Sequence, residues 1–156
     1  MKVFVETGSK RAFAGAIDWP GLARGARTAD EALAALVAYA PRYSKSLAGP
    51  ARAIEPPIDA GDLDVVERLK GGSGTDFGVP SSIADFDRAP VTGKQLERLV
   101  ELLRASWDAF EKAAATAKGR TLAKGPRGGE RWPARYAIRR SAWHALDHAW
   151  EIEDRS

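Results

Sequence analysis

The chain has no cysteine, and that absence removes disulfides, thiolate metal sites and a cysteine nucleophile together. Histidine is nearly absent too. It occurs only at positions 144 and 148, so imidazole chemistry is confined to one short stretch. Long apolar runs are missing: none approaches the ~20 residues of a bilayer-spanning helix, and the opening "MKVFVETGSKR" has no apolar signal core. A cytoplasmic protein without membrane association is expected. Neither sign of charge dominates: 24 basic and 21 acidic side chains leave +3 at pH 7, which supports solubility and is a weak pointer to nucleic acid. For metal ligation, only His, Asp and Glu remain. At 156 residues and 44% hydrophobic, the chain suffices for one ordinary core or two very small ones.

The first half alternates like a sheet and then turns helical. In "KVFVETG", residues 2–8, Val3 and Val5 oppose Lys2, Phe4 and Glu6, and "RAFAGAID", residues 11–18, forms a second strand-like run after a Gly-Ser turn. A hairpin is predicted. Thr28 and Glu31 have capping-box spacing, and Leu33, Leu36, Val37 and Ala40 follow helical spacing, so a helix from about Thr28 should cover one face until Pro41 kinks or ends it. A third strand is expected in "DVVERL", residues 64–69. This gives a module over 1–69 with a small antiparallel sheet and a packed helix. Residues 70–91 read as a loop-rich connector, with Phe77, Ile83 and Phe86 as anchors.

Residues 92–156 read as a pair of long helices. Thr92 and Gln95 repeat the capping-box spacing, and Leu96, Val100, Leu103, Trp107, Phe110, Ala114 and Ala117 step by four and three, a seam that calls for a partner helix. Pro133 suits the first turn of a last helix running to about Asp154. On that helix His144, His148 and Glu151 share one arc, with Asp147 beside them and Ser141 one turn before. Imidazoles at i and i+4 lie one turn apart on the same side and can converge on one ion, with a carboxylate one turn further on. Such ligands suit Zn²⁺, Ni²⁺ or Fe²⁺. The alternative is a solvated polar face. The Gly-rich stretches lack the Lys-Ser/Thr of a phosphate loop, and no serine is linked by spacing to a His and an Asp.

"RYAIRRSAWHALDHAWEIEDR" resembles the closing helix of the DinB and YfiT-like superfamily of four-helix bundles. The resemblance implies a divalent metal on His144 and His148, with metal-dependent hydrolase or thiol-dependent transferase chemistry. The third histidine of that family has no counterpart here, and the bundle is shortened to two helices. "FAGAIDWPGLARGARTADEALAAL" is similar to the HicB-like antitoxin fold, which implies a small sheet on a helix that binds a protein partner. The fold class expected is therefore α+β.

Charge is segregated along the last part of the chain. Basic residues, among them Arg131, Arg135 and Arg139, precede the acids Asp147, Glu151, Glu153 and Asp154, an order opposed to the helix dipole. The three arginines are candidates for contact with an anion or a partner. Arg135 and Arg139 of one copy beside Glu151 and Asp154 of another would give an antiparallel homodimer through the long helices, which is the partner expected, while a nucleic-acid contact is the weaker reading. Two functions follow: a metal-dependent enzyme of unassigned small-molecule substrate, and a noncatalytic interaction or dimerisation module for a protein or nucleic-acid partner. Only the first needs the histidines.

Overall fold

A computed structural model describes residues 1–47, 54–116 and 134–154. The fold is mixed α and β, built on one four-stranded sheet. Strands β1 (Lys2–Thr7) and β2 (Ala12–Ala16) form the predicted hairpin, with Val3 opposite Ala16 and Val5 opposite Ala14. A third strand, β3 (Ala23–Ala26), continues the meander beside β2. Its sequence, "ARGA", carries no strand signal of its own. The turn before it sets its register: the Leu22 amide donates to the Trp19 carbonyl at 3.0 Å, Pro20 takes the first central position, and Gly21 takes the second at φ 89°. That is a type II turn, whose second central residue needs positive φ.

Helix α1 (Ala29–Leu47) starts where the capping spacing places it. The Glu31 amide donates to the Thr28 hydroxyl at 3.2 Å, and the Glu31 carboxylate reaches back to the Arg27 amide at 3.1 Å. Pro41 does not end the helix, which runs six residues beyond it. Contacts on the far side hold that extension: the Tyr43 hydroxyl donates to the Pro20 carbonyl at 2.8 Å, and the Ser44 hydroxyl to the Ile54 carbonyl at 3.3 Å. Burial pushes the Tyr43 phenol up to about 12.

Strand β4 (Asp64–Lys70) lies beside β1, giving the order β3-β2-β1-β4. It runs parallel to β1, so the sheet is mixed and not the antiparallel one expected. The cause is topological. β3 points the same way as β1, and a helical crossover from its end returns the chain to the starting edge, so the next strand must run in that direction.

One face of the sheet is closed by α1. Val3, Val5, Ala12, Ala14 and Ala16 meet Ala32, Leu33, Leu36 and Ala40 there, all buried. Burying a side chain such as Leu36 contributes roughly 1.5–3 kcal/mol. The second face carries Phe4, Glu6, Phe13, Gly15 and Gly25. Each aromatic ring lies over the glycine of the neighbouring strand: a Cβ on Gly15 would come within 2.4 Å of the Phe4 ring, and one on Gly25 within 2.5 Å of the Phe13 ring.

The connector closes that second face. It contains a short helix, α2 (Ser73–Phe77), and a 3₁₀ turn at Phe86–Arg88. Phe86 packs against Phe4 with ring centroids 5.7 Å apart, whereas Phe77 and Ile83, the other expected anchors, are 85% and 64% exposed. Thr75 and Ala84 are the buried residues instead.

Helix α3 (Gly93–Thr116) opens on the predicted capping box, with the Thr92 amide donating to Gln95 Oε1 at 2.8 Å. Leu102 and Ala105 are its buried side chains, set against Trp19 and Tyr43. Helix α4 spans Ala134–Glu153. The chain divides into two compact units, Met1–Ala109 and Phe110–Ser156. Among the described residues no helix is long and apolar enough to cross a membrane.

Candidate functional site

The histidine pair belongs to α4. Its spacing of four puts the two rings one turn apart, and their centroids are 4.4 Å apart at an interplanar angle of 69°. Both imidazoles are exposed. For two imidazoles on one tetrahedral Zn²⁺ at ~2.1 Å from each nitrogen, the ring centroids stand roughly 5 Å apart. Ser141 lies one turn earlier and is half-buried, and Arg139 is exposed. Asp147, Glu151 and Arg135 have their backbones in α4, but their side chains lie outside the described residues, as does the whole of Arg131. Among the described residues no three His, Asp or Glu side chains gather as a metal-ligand set.

The apolar arc of α4 also faces outward. Ile138 is 44% exposed, Leu146 51% and Trp150 55%.

A second cluster, which sequence reasoning missed, surrounds Glu6. This carboxylate is fully buried on β1, where it accepts a hydrogen bond from the Thr75 hydroxyl and from the amides of Ser81 and Ser82, each at 3.1 Å. Two further carboxylates join the same segment to the sheet. Glu67 of β4 accepts from the Asp85 amide at 2.9 Å, and Asp76 of α2 accepts from the Ser9 hydroxyl and from the Lys10 and Arg11 amides. These bonds, led by that from Ser9, hold the Asp76 carboxyl below its ordinary value. All the partners Glu6 has here are donors from the connector, so its role is to fasten that segment to the sheet. The signal was present as Glu6 beside the apolar run Val3, Phe4 and Val5 and as the donors of "GGSGT" and "PSS".

Beside the fastened segment runs a groove of about 770 Å³, whose wall includes Phe4, Gly15, Pro20, Phe86, Gln95 and Arg98. The Arg98 guanidinium lies 4.8 Å over the Trp19 ring. Asp18 and Asp87 also line the groove, so its polar groups carry both signs and select neither an anion nor a cation. Across the sheet, burial lowers the Arg24 pKa, and its guanidinium stacks 3.9 Å over Tyr39.

No family model, curated protein or solved structure matches the chain.

Proposed function

We propose that this protein binds a divalent metal ion, Zn²⁺, Ni²⁺ or Fe²⁺, through the imidazoles of His144 and His148, with the Glu151 carboxylate as the third protein ligand. Asp147 and Ser141 would stand beside the ion, positioned to accept or orient protons of a bound molecule. What supports the reading is the separation of 4.4 Å between two exposed rings one helical turn apart. Neutral imidazole and carboxylate form a donor set suited to these borderline ions, and three protein ligands leave positions for a small molecule. When bound, the ion would supply Lewis-acid chemistry, activating water or a low-molecular-weight thiol. The class is then a DinB-like metal-dependent hydrolase or thiol-dependent transferase.

The test is metal content by mass spectrometry on protein purified without a histidine tag, wild type beside the His144→Ala/His148→Ala variant. Close to one ion per one or two chains, lost in the variant, is the expected result. Metal-free protein that takes up neither added Zn²⁺ nor added Ni²⁺ contradicts it.

A second reading, a noncatalytic interaction module with a HicB-like body, is favoured by the exposed apolar side chains of α3. Its behaviour would survive replacement of both histidines.

A further inference from the structure

The groove beside the fastened connector has a floor and walls that are already built. Its floor is β2, where Gly15 has no side chain and the Phe4 ring lies over the bare strand. One wall is the connector, held by the Ser82 amide on Glu6 at 3.1 Å and by the Asp85 amide on Glu67 at 2.9 Å. Phe86 stands on that wall with its ring centroid 5.7 Å from that of Phe4, and both rings are half-buried. Helix α3 supplies Gln95, Arg98 and Leu99. All of these residues lie in the unit Met1–Ala109. At about 770 Å³ the groove is of a size that holds small ligands.

Asp18, Asp87 and Arg98 line the groove, and they are not equivalent. Asp87 is committed to the connector, since its carboxylate accepts from the Ala84 amide at 2.8 Å. Asp18, two residues past the end of β2, and Arg98 have no ion-pair partner among the described residues. The Arg98 guanidinium rests over the Trp19 ring at 4.8 Å, a contact that holds its place without neutralising its charge. One open anion and one open cation therefore border an apolar floor.

We infer that the groove binds a small zwitterion with an aromatic body, of the size of a dipeptide, its ring against Phe4 and Phe86, its carboxylate towards Arg98 and its ammonium towards Asp18. Charge selects this class. A simple anion is drawn to Arg98 and repelled by the aspartates, and a simple cation meets the reverse, whereas a molecule carrying both signs is matched at both ends. Its apolar body covers the walls between them. Because Glu6 and Glu67 fasten the connector before a ligand arrives, little ordering cost opposes binding. The site is independent of the metal reading, because none of these residues lies on α4.

The probe is L-phenylalanyl-L-leucine, titrated into the full chain while the backbone amide NMR resonances are followed. Those of Gly15, Ser82, Phe86 and Arg98 should move together, with a dissociation constant on the order of 100 µM for a ligand of this size. The N-acetyl form, which lacks the ammonium, and the C-terminal amide, which lacks the carboxylate, should each bind about threefold to fivefold more weakly. Asp18→Asn should weaken the free dipeptide and leave the N-acetyl form unchanged, and Arg98→Gln should weaken the free dipeptide and leave the amide unchanged. Ala89→Trp, at an exposed position of the wall, should fill the groove and abolish binding without altering the circular dichroism. His144→Ala/His148→Ala should leave binding unchanged, which separates this proposal from the metal site. Resonances that stay in place at millimolar dipeptide, or binding that survives Ala89→Trp, overturn the groove as a site. Blocked forms that bind as tightly as the free dipeptide overturn the zwitterion as its ligand.

Discussion

The two faces of the sheet are closed by opposite chemistry. On the α1 side, aliphatic residues from three strands meet Ala32, Leu33, Leu36 and Ala40, with the Arg24 guanidinium stacked on Tyr39 beside them. On the other side, Glu6 and Glu67 collect hydrogen bonds from the connector, whose large apolar residues, apart from Phe86, point outward, and Asp76 of that connector accepts from the turn between β1 and β2. Apolar burial is non-directional and tolerates sliding, whereas a buried carboxylate with three donors accepts only one placement of the chain that supplies them. The helical face supplies stability, and the carboxylate face supplies position.

This contrast can be broken from either side. Leu36→Ala on the α1 face leaves a cavity under the helix and should cost about 2–5 kcal/mol, read as a lower urea midpoint for the whole unit. Glu6→Ala leaves the Ser81 and Ser82 amides and the Thr75 hydroxyl without their acceptor and should cost about 2–4 kcal/mol. Its signature differs from that of Leu36→Ala. Amide exchange at Ser81 and Ser82 should quicken more than exchange in β1 and β2, because the connector opens before the sheet does. Equal quickening throughout would mean that the carboxylate serves the fold as a whole.

A smaller effect sharpens the comparison through pH. The Asp76 carboxyl, held low first by the Ser9 hydroxyl and then by the Lys10 amide, has a folded-state pKa below its unfolded value. Its contribution is therefore complete above the unfolded value of about 3.9 and is lost as pH falls through the folded value. Wild type should exceed Asp76→Asn in urea midpoint near neutral pH, and the gap should narrow in acid below that range. A gap that persists unchanged in acid would place the effect elsewhere.

The physics of each element decides how much of it was legible. The hairpin, β4, α1, α3 and α4 announce themselves by alternation, helical spacing and two capping boxes, because those signals are local. β3 was not legible, since "ARGA" becomes a strand only through the turn at Pro20 and Gly21 and the edge that β2 offers. The parallel direction of β4 follows from that missing strand. Glu6 was read only as alternating with Val3 and Val5, and the folding back of residues 72–88 is what buries it. In α3 the four-and-three spacing was legible, but the side the body takes, Leu102 and Ala105, depends on Trp19 and Tyr43 from distant segments. The histidine spacing was legible as two rings one turn apart on α4, since helical periodicity sets neighbours on one face and is silent about groups from elsewhere.

The proposed metal site makes the sharpest claim about chemistry, and the chain's possession of only two histidines makes it directly observable. Imidazole NMR resonances of His144 and His148, followed while Zn²⁺ is added, report each ligand separately. Joint displacement of both, saturating near one ion per one or two chains and reduced by Glu151→Gln, is the predicted outcome. Resonances that stay in place, or one ring that moves without the other, would contradict a shared metal.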